Sequence, residues 1–365
     1  MAEVSRYRLK ENEAEARERM RAFWEKDAVD GRPPLRIIVD NPGYTAEPFA
    51  HPEMTAKECD RSPEWHAWRT RNELFGKRYL AESFPGILAT YGANICLPSD
   101  LLGGDYEWHG PTTWTYPMPD VYERPLPSFD PANPIVRDLD RCIEAMAAVI
   151  GDNGFINPPS LLDPLTTLSL FRGMDEMCMD LVDDEEKVNR FCRHAREVAL
   201  DSHRHFQAKV ESLGYGENQT WLGTLAEGTM EAVQCDASIM LSPDMFEDFV
   251  LPDLAAFVEY FDRSLYHLDG NAQARAFDHM ASLPKLDGIQ WNPEPGGDDP
   301  RQQIELLREV RKRGWCLFVS LRNLDDAIFV IRELGPEGLF VDLPNIKTLD
   351  EAESAMETLQ RVFCR

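Results

Sequence analysis

What this chain lacks narrows its reading first. No apolar run approaches the roughly 20 residues that cross a bilayer, and the charged, helix-patterned stretch from Met1 to Lys26 has no apolar segment of the signal-peptide kind. The expected location is therefore cytoplasmic. The eight cysteines form no CxxC pair and no zinc-finger spacing, so neither a disulfide framework nor a structural zinc module is expected. There is no GxGxxG or GxxxxGK[ST] loop, no GxSxG elbow and no HExxH helix. Dinucleotide and P-loop folds, serine hydrolases and zincin proteases all lose support. Positive charge is also short. With 38 basic against 64 acidic residues the formal charge is −26, which argues against nucleic-acid binding and attraction to anionic lipid. There is no tandem repeat and no low-complexity tract.

What is present is a rhythm of strand and helix signals, clearest in the C-terminal third. Strands are expected at Leu35–Asp40, Ile87–Gly92, Gly154–Asn157, Glu217–Leu222, Ser264–Leu268, Gly288–Trp291, Trp315–Ser320 and Gly338–Asp342. Helices are expected between them, among them 136–150, 184–213, 324–334 and 349–363. Four successive β-then-α units predict parallel strands with helical crossovers. The fold class is α/β, best fitted by a (β/α)8 TIM barrel, with a doubly wound open sheet as the other arrangement. Residues 1–365 read as one barrel domain. Residues 1–30 would be an N-terminal helical extension, and 98–134 a long loop excursion carrying Tyr106, Trp108, Trp114, Tyr116 and Tyr122.

In such a barrel the chemistry sits at the carboxyl ends of the strands. The segment Tyr266-His267-Leu268-Asp269-Gly270 is the sharpest signal. Side chains alternate along a strand, so His267 and Asp269 point the same way and can share a metal or a proton. A hydrogen-bonded pair that only orders a loop would look the same. Other strand ends offer Asp40, Gln219, Gln290, Asn292, Ser320 and Asp342, with Glu294 close behind one of them. His267, Asp269, Glu294 and Asp342 together make a nitrogen-and-oxygen set suited to zinc or another divalent metal. These acids can equally cap helices. Trp221 and Trp291 are candidates to line a pocket for a flat cofactor, or are ordinary packing residues.

Several segments, in order, resemble the uroporphyrinogen decarboxylase superfamily, which also contains cobalamin-dependent methyltransferases. They are Asp163-Pro164-Leu165 with Leu170-Phe171-Arg172-Gly173, Gln234-Cys235-Asp236, and Leu241-Ser242-Pro243-Asp244-Met245-Phe246. Phe249-Val250-Leu251-Pro252, Tyr266 to Gly270 and the closing unit Gly338 to Met356 continue the match. The resemblance implies a (β/α)8 barrel with its site at the carboxyl face. The decarboxylases carry an arginine-bearing loop after the first strand, where this chain reads Val39-Asp40-Asn41-Pro42-Gly43-Tyr44. An octa-carboxylate substrate would be repelled there. The methyltransferase branch has zinc ligands at a His-x-Cys pair and at a later Cys. Those positions read His267-x-Asp269 and Asp342 here, with Glu294 near a further acidic ligand.

The expected function is thus methyl transfer between a small substrate and a corrinoid carried by a partner protein, assisted by zinc or another divalent metal. Asp40, Gln234, Asp236 and Gln290 are the expected catalytic and orienting residues, with Trp221, Trp291 and Arg172 facing cofactor. The chain has no Asp-x-His-x-x-Gly corrinoid motif, so a corrinoid would come from outside it; assembly as a homodimer fits the same reading. The alternatives are a metal-independent lyase, with Asp40 or Asp269 as proton donor and Arg172 or Arg322 holding a carboxylate, and a non-catalytic corrinoid- or tetrapyrrole-binding protein.

Overall fold

The computed structural model describes residues 6–363. Its strands are β1 (Leu35–Asp40), β2 (Lys77–Ala81), β3 (Gly86–Leu88), β4 (Tyr106–His109), β5 (Thr112–Thr115), β6 (Phe155–Asn157) and β7 (Glu217–Asn218). They continue as β8 (Ala226–Glu227), β9 (Met230–Val233), β10 (Arg263–Asp269), β11 (Gly288–Asn292), β12 (Cys316–Ser320) and β13 (Leu339–Asp342). Seven of them form a central sheet in the order β2-β1-β13-β12-β11-β10-β9. Every pairing in it is parallel except β1 with β2, which is antiparallel. β3 pairs with β6 in a separate parallel ribbon, and β4–β5 and β7–β8 are antiparallel pairs.

The C-terminal βα units lie where the sequence expects them. β12 and β13 are almost wholly apolar and buried, as strands covered on both faces must be. The helix Leu324–Leu334 starts on the side chain of Asn323, which accepts the Asp326 N–H at 2.9 Å, and stops at Gly335. Several elements depart from expectation. β2 was not expected and runs antiparallel to β1, whereas all strands were expected to be parallel. β9 was not expected either, because Met-Glu-Ala-Val carries a glutamate in its middle. The strands expected near Ile87, Gly154 and Glu217 pair outside the central sheet. The stretch 98–134 is not only loop: it contains the β4–β5 hairpin and the end of the short helix Cys96–Leu101.

One end of the sheet is closed by the first helix, Glu13–Trp24. Phe23 meets Phe340 edge-on at 5.7 Å, and the Trp24 indole donates to the Leu225 carbonyl at 2.8 Å. The segment before this helix seals the free edge of β2. Lys10, buried, donates to the carbonyls of Tyr79 and Ala81, and Asn12 donates to Ala81 at 3.2 Å. Covering an edge in this way blocks pairing with a second chain. The opposite end, where β10 to β13 terminate, is left for polar side chains. Among the described residues no helix is long and apolar enough to cross a membrane.

Candidate functional site

In-register partners on neighbouring strands project to the same face, so the register lays out the site in rows. One row is His267, Gln290, Phe318 and Phe340, with the two phenylalanine rings stacked at 5.0 Å. Two residues further on, the strand tips carry Asp269, Asn292, Ser320, Asp342 and, on β1, Arg36. This tip row is polar throughout and forms two bonded groups, Asp269 with Asn292 and Ser320 with Asp342 and Arg36. Asn292 donates to Asp269 at 2.7 Å, Ser320 to Asp342 at 2.8 Å, and Arg36 to Asp342 at 3.1 Å.

Three groups converge at the β10 end. The carboxylates of Asp236 and Asp269 and a ring nitrogen of His267 lie within 4.8 Å of one another. Asp236 is brought there by the tight turn that follows β9, Asp236–Met240. His267 has one ring nitrogen spoken for. Gln290 donates its amide to the Trp291 carbonyl at 3.3 Å, which leaves its oxygen to accept from His267 Nδ1. This bond leaves Nε2 as the ring nitrogen that faces the carboxylates. Nε2 faces Asp269 Oδ1 at 3.9 Å. Burial raises the Asp236 carboxyl above its ordinary range; His267 opposes the shift and Asp269 adds to it.

This donor set fits a divalent cation. One oxygen of Asp236, Oδ1, is buried without a hydrogen-bond partner. Buried carboxylate oxygens without partners are costly, and a cation is one way to satisfy them. One nitrogen and two oxygens suit zinc or a harder ion such as manganese. Two donors on one tetrahedral ion sit roughly 3.4 Å apart, so modest side-chain rotation would bring the three groups to a common point.

The other residues expected at the site divide. Gln290 orients His267, and Trp221 packs edge-on against the His267 ring at 5.2 Å. Asp342 belongs to the tip row but is held by Arg36 and Ser320, outside the trio. Glu294 lies in the loop beyond β11, where its oxygens take the Asn271 backbone and side-chain amides. It serves loop structure there, and Asp236 supplies the second carboxylate instead. Asp40 sits four residues beyond Arg36, about 13 Å further along the strand. It is exposed and paired with Lys77 at 2.6 Å. Trp291 points to the opposite face from Gln290, is buried, and donates to Asn271 at 2.8 Å. Gln234 lines a void of about 10 Å³ against the helices Pro243–Phe249 and Leu251–Tyr260. Arg172 grips Asp180 through two nitrogens at 2.7 and 2.9 Å and holds the Pro119 carbonyl, pinning the excursion. Arg322 is engaged with Asp326 at 3.0 Å.

Beneath the trio, Asp163 caps the helix Pro164–Arg172 through the Thr166 N–H at 2.8 Å. Burial pushes its carboxyl up to about 7, and the neighbouring Asp236 charge adds to the shift.

Comparison of the chain with protein-family models and with curated proteins returned no match. The site thus rests on its own geometry.

Arg36 was missed from the sequence. Only the stagger of β1 against β13 sets the second residue of β1 level with the last residue of β13. Trp221 owes its position to Thr220, whose φ of +50° is rare for a β-branched residue. The strain is held by hydrogen bonds from Thr220 N to Asn218 and from Leu222 N to the Thr220 hydroxyl. No composition or spacing signal announces such a turn.

Proposed function

We propose that the chain is a distorted (β/α)8-barrel enzyme related to the uroporphyrinogen decarboxylase superfamily. Its mouth would bind a divalent cation and move a methyl group between a small substrate and a corrinoid carried by a partner protein. The observation that carries this reading is the convergence of Asp236, His267 and Asp269, one Asp236 oxygen being buried without a hydrogen-bond partner. The barrel is supported by the segment after β7, which reaches the β3–β6 ribbon at one point and the central sheet at another. Gln219 donates through its side chain to the Gly86 carbonyl at 3.2 Å and through its backbone to Asn157 at 2.9 Å, and Gly223 lies against Arg36.

Asp236, His267 and Asp269 would hold the ion. When bound, it would supply Lewis-acid polarisation of an ether, amine or thiol oxygen, nitrogen or sulfur on the substrate. Gln290 engages Nδ1 of His267 and so turns Nε2 toward the site, and Asn292 fixes the rotamer of Asp269. Trp221, 39% exposed, offers a flat apolar wall beside the imidazole on which a methyl donor or a corrinoid edge can rest.

Metal analysis of the purified protein tests the reading. About one zinc or manganese ion per chain is expected, falling to background in His267→Ala. Absence of bound metal after reconstitution, with His267→Ala unchanged in every assay, would sink it. Turnover of a carboxylic acid that ignores chelators would point to a lyase instead.

A further inference from the structure

Arg36 is the one basic side chain in the polar tip row, and its surroundings are shaped for it. One of its five N–H donors is used by Asp342. Asp342 in turn has its second oxygen filled by Ser320, so the acid is held in place and orients the guanidinium. Among the described residues no other hydrogen bond from Arg36 is present, although its side chain is only 28% exposed. Gly223 makes the room. It adopts a φ of +81°, and a Cβ there would lie 2.7 Å from Arg36 Nε. Two residues earlier in the same turn, Trp221 touches His267. The strained Thr220 turn therefore lies against Arg36 through Gly223 and against His267 through Trp221.

We propose that Arg36 is the anion-recognition residue of this mouth. The ligand is a small molecule with a carboxylate that docks on the open guanidinium edge while its other end faces Asp236, His267 and Asp269. A guanidinium held through one nitrogen keeps a planar two-donor edge, which matches a carboxylate in a way that a lysine ammonium does not. The inference rests on the proposed function for the identity of the reacting end, but not for the anion site itself.

Titration calorimetry with acetate, propionate, succinate and glutarate, and with their amides as neutral controls, tests the site. At least one acid should bind more tightly than its amide. Arg36→Gln should weaken that acid roughly tenfold or more, and leave the metal content of the protein unchanged. Arg36→Lys keeps the charge beside Asp342 and should still bind several-fold more weakly. Gly223→Ala, which crowds the guanidinium while keeping it, should do likewise. The same Arg36 dependence should persist in a His267→Ala background, which separates failure of the metal reading from failure of this one. Acids binding no better than their amides, or an affinity unchanged in Arg36→Lys and Gly223→Ala, would overturn the proposal.

Discussion

Glu231 lies in the middle of β9 on the face opposite the trio, where its in-register partner is Ser264. It is fully buried, and that burial pushes its carboxyl from an ordinary 4.5 to about 8. Both oxygens accept backbone N–H groups, from Ala232 at 2.9 Å and Leu161 at 3.2 Å, and these bonds oppose the shift without cancelling it. Between about pH 4.5 and 8 the folded chain therefore holds a proton that the unfolded chain releases. Stability falls across this window as pH rises, by about 1.4 kcal/mol per pH step. At pH 7 the accumulated loss is about 3 kcal/mol. Glu231→Gln cannot ionise and escapes this loss. It also has one acceptor oxygen where the carboxyl has two, so one buried N–H loses its partner at about 1–3 kcal/mol. The difference between the two proteins must then change sign. At pH 5 the variant should be the less stable by about 1 kcal/mol, and at pH 8 the more stable by about 2. Urea unfolding of both proteins at pH 5, 6, 7 and 8 measures this, and the other titrating groups cancel in the difference. A gap between their midpoints that stays constant with pH would refute the reasoning.

Three further outcomes follow from the packing. Gly288→Ala sets a Cβ 2.1 Å from the Cys316 carbonyl oxygen inside the sheet, and should lower stability by about 1–3 kcal/mol; an unchanged melting temperature would contradict it. Lys10→Met leaves the Tyr79 and Ala81 carbonyls without that donor, so amide exchange along β2 should quicken and stability fall by about 1–3 kcal/mol, as hydrogen-exchange mass spectrometry and denaturation would show. Gln290→Leu frees His267 to rotate and to take the other tautomer. Metal affinity in a chelator-competition titration should drop roughly ten- to a hundredfold, and an unchanged affinity would rule out the role given to Gln290.

The legible part of the fold was the part whose local signals agree with its tertiary setting. Leu324–Leu334 begins on an asparagine cap and ends at a glycine, and Leu35–Asp40 alternates buried and half-buried residues. Pattern alone sufficed there. β9 fails the same test because its glutamate is satisfied by the amide of the next residue and by that of Leu161, 70 residues away, which no sequence window reveals. β2 fails for another reason. Lys77 to Ala81 contains two basic residues, as an edge strand tolerates, and its free edge is covered by Lys10 and Asn12 from far away in the chain. An edge strand closed by a lysine does not resemble a strand of a parallel core.

The site was legible where one strand supplies both partners. His267 and Asp269 share a face by alternation alone, and the structure keeps them 3.9 Å apart. Residues contributed by separate strands were harder, because membership depends on stagger. Strand ends taken from the sequence put Asp40 level with Asp342, but the pairing sets Arg36 there and carries Asp40 out to Lys77. The same stagger explains why the row changes character. On β12 and β13 it gives Phe318 and Phe340 below and Ser320 and Asp342 above, so the polar layer begins one alternation before the strands stop. A slip of one residue in β13 would turn Asp342 to the other face and leave Arg36 without its anchor. The charge that orients an anion in this mouth is thus set by the β1–β13 register, which no motif in either strand records.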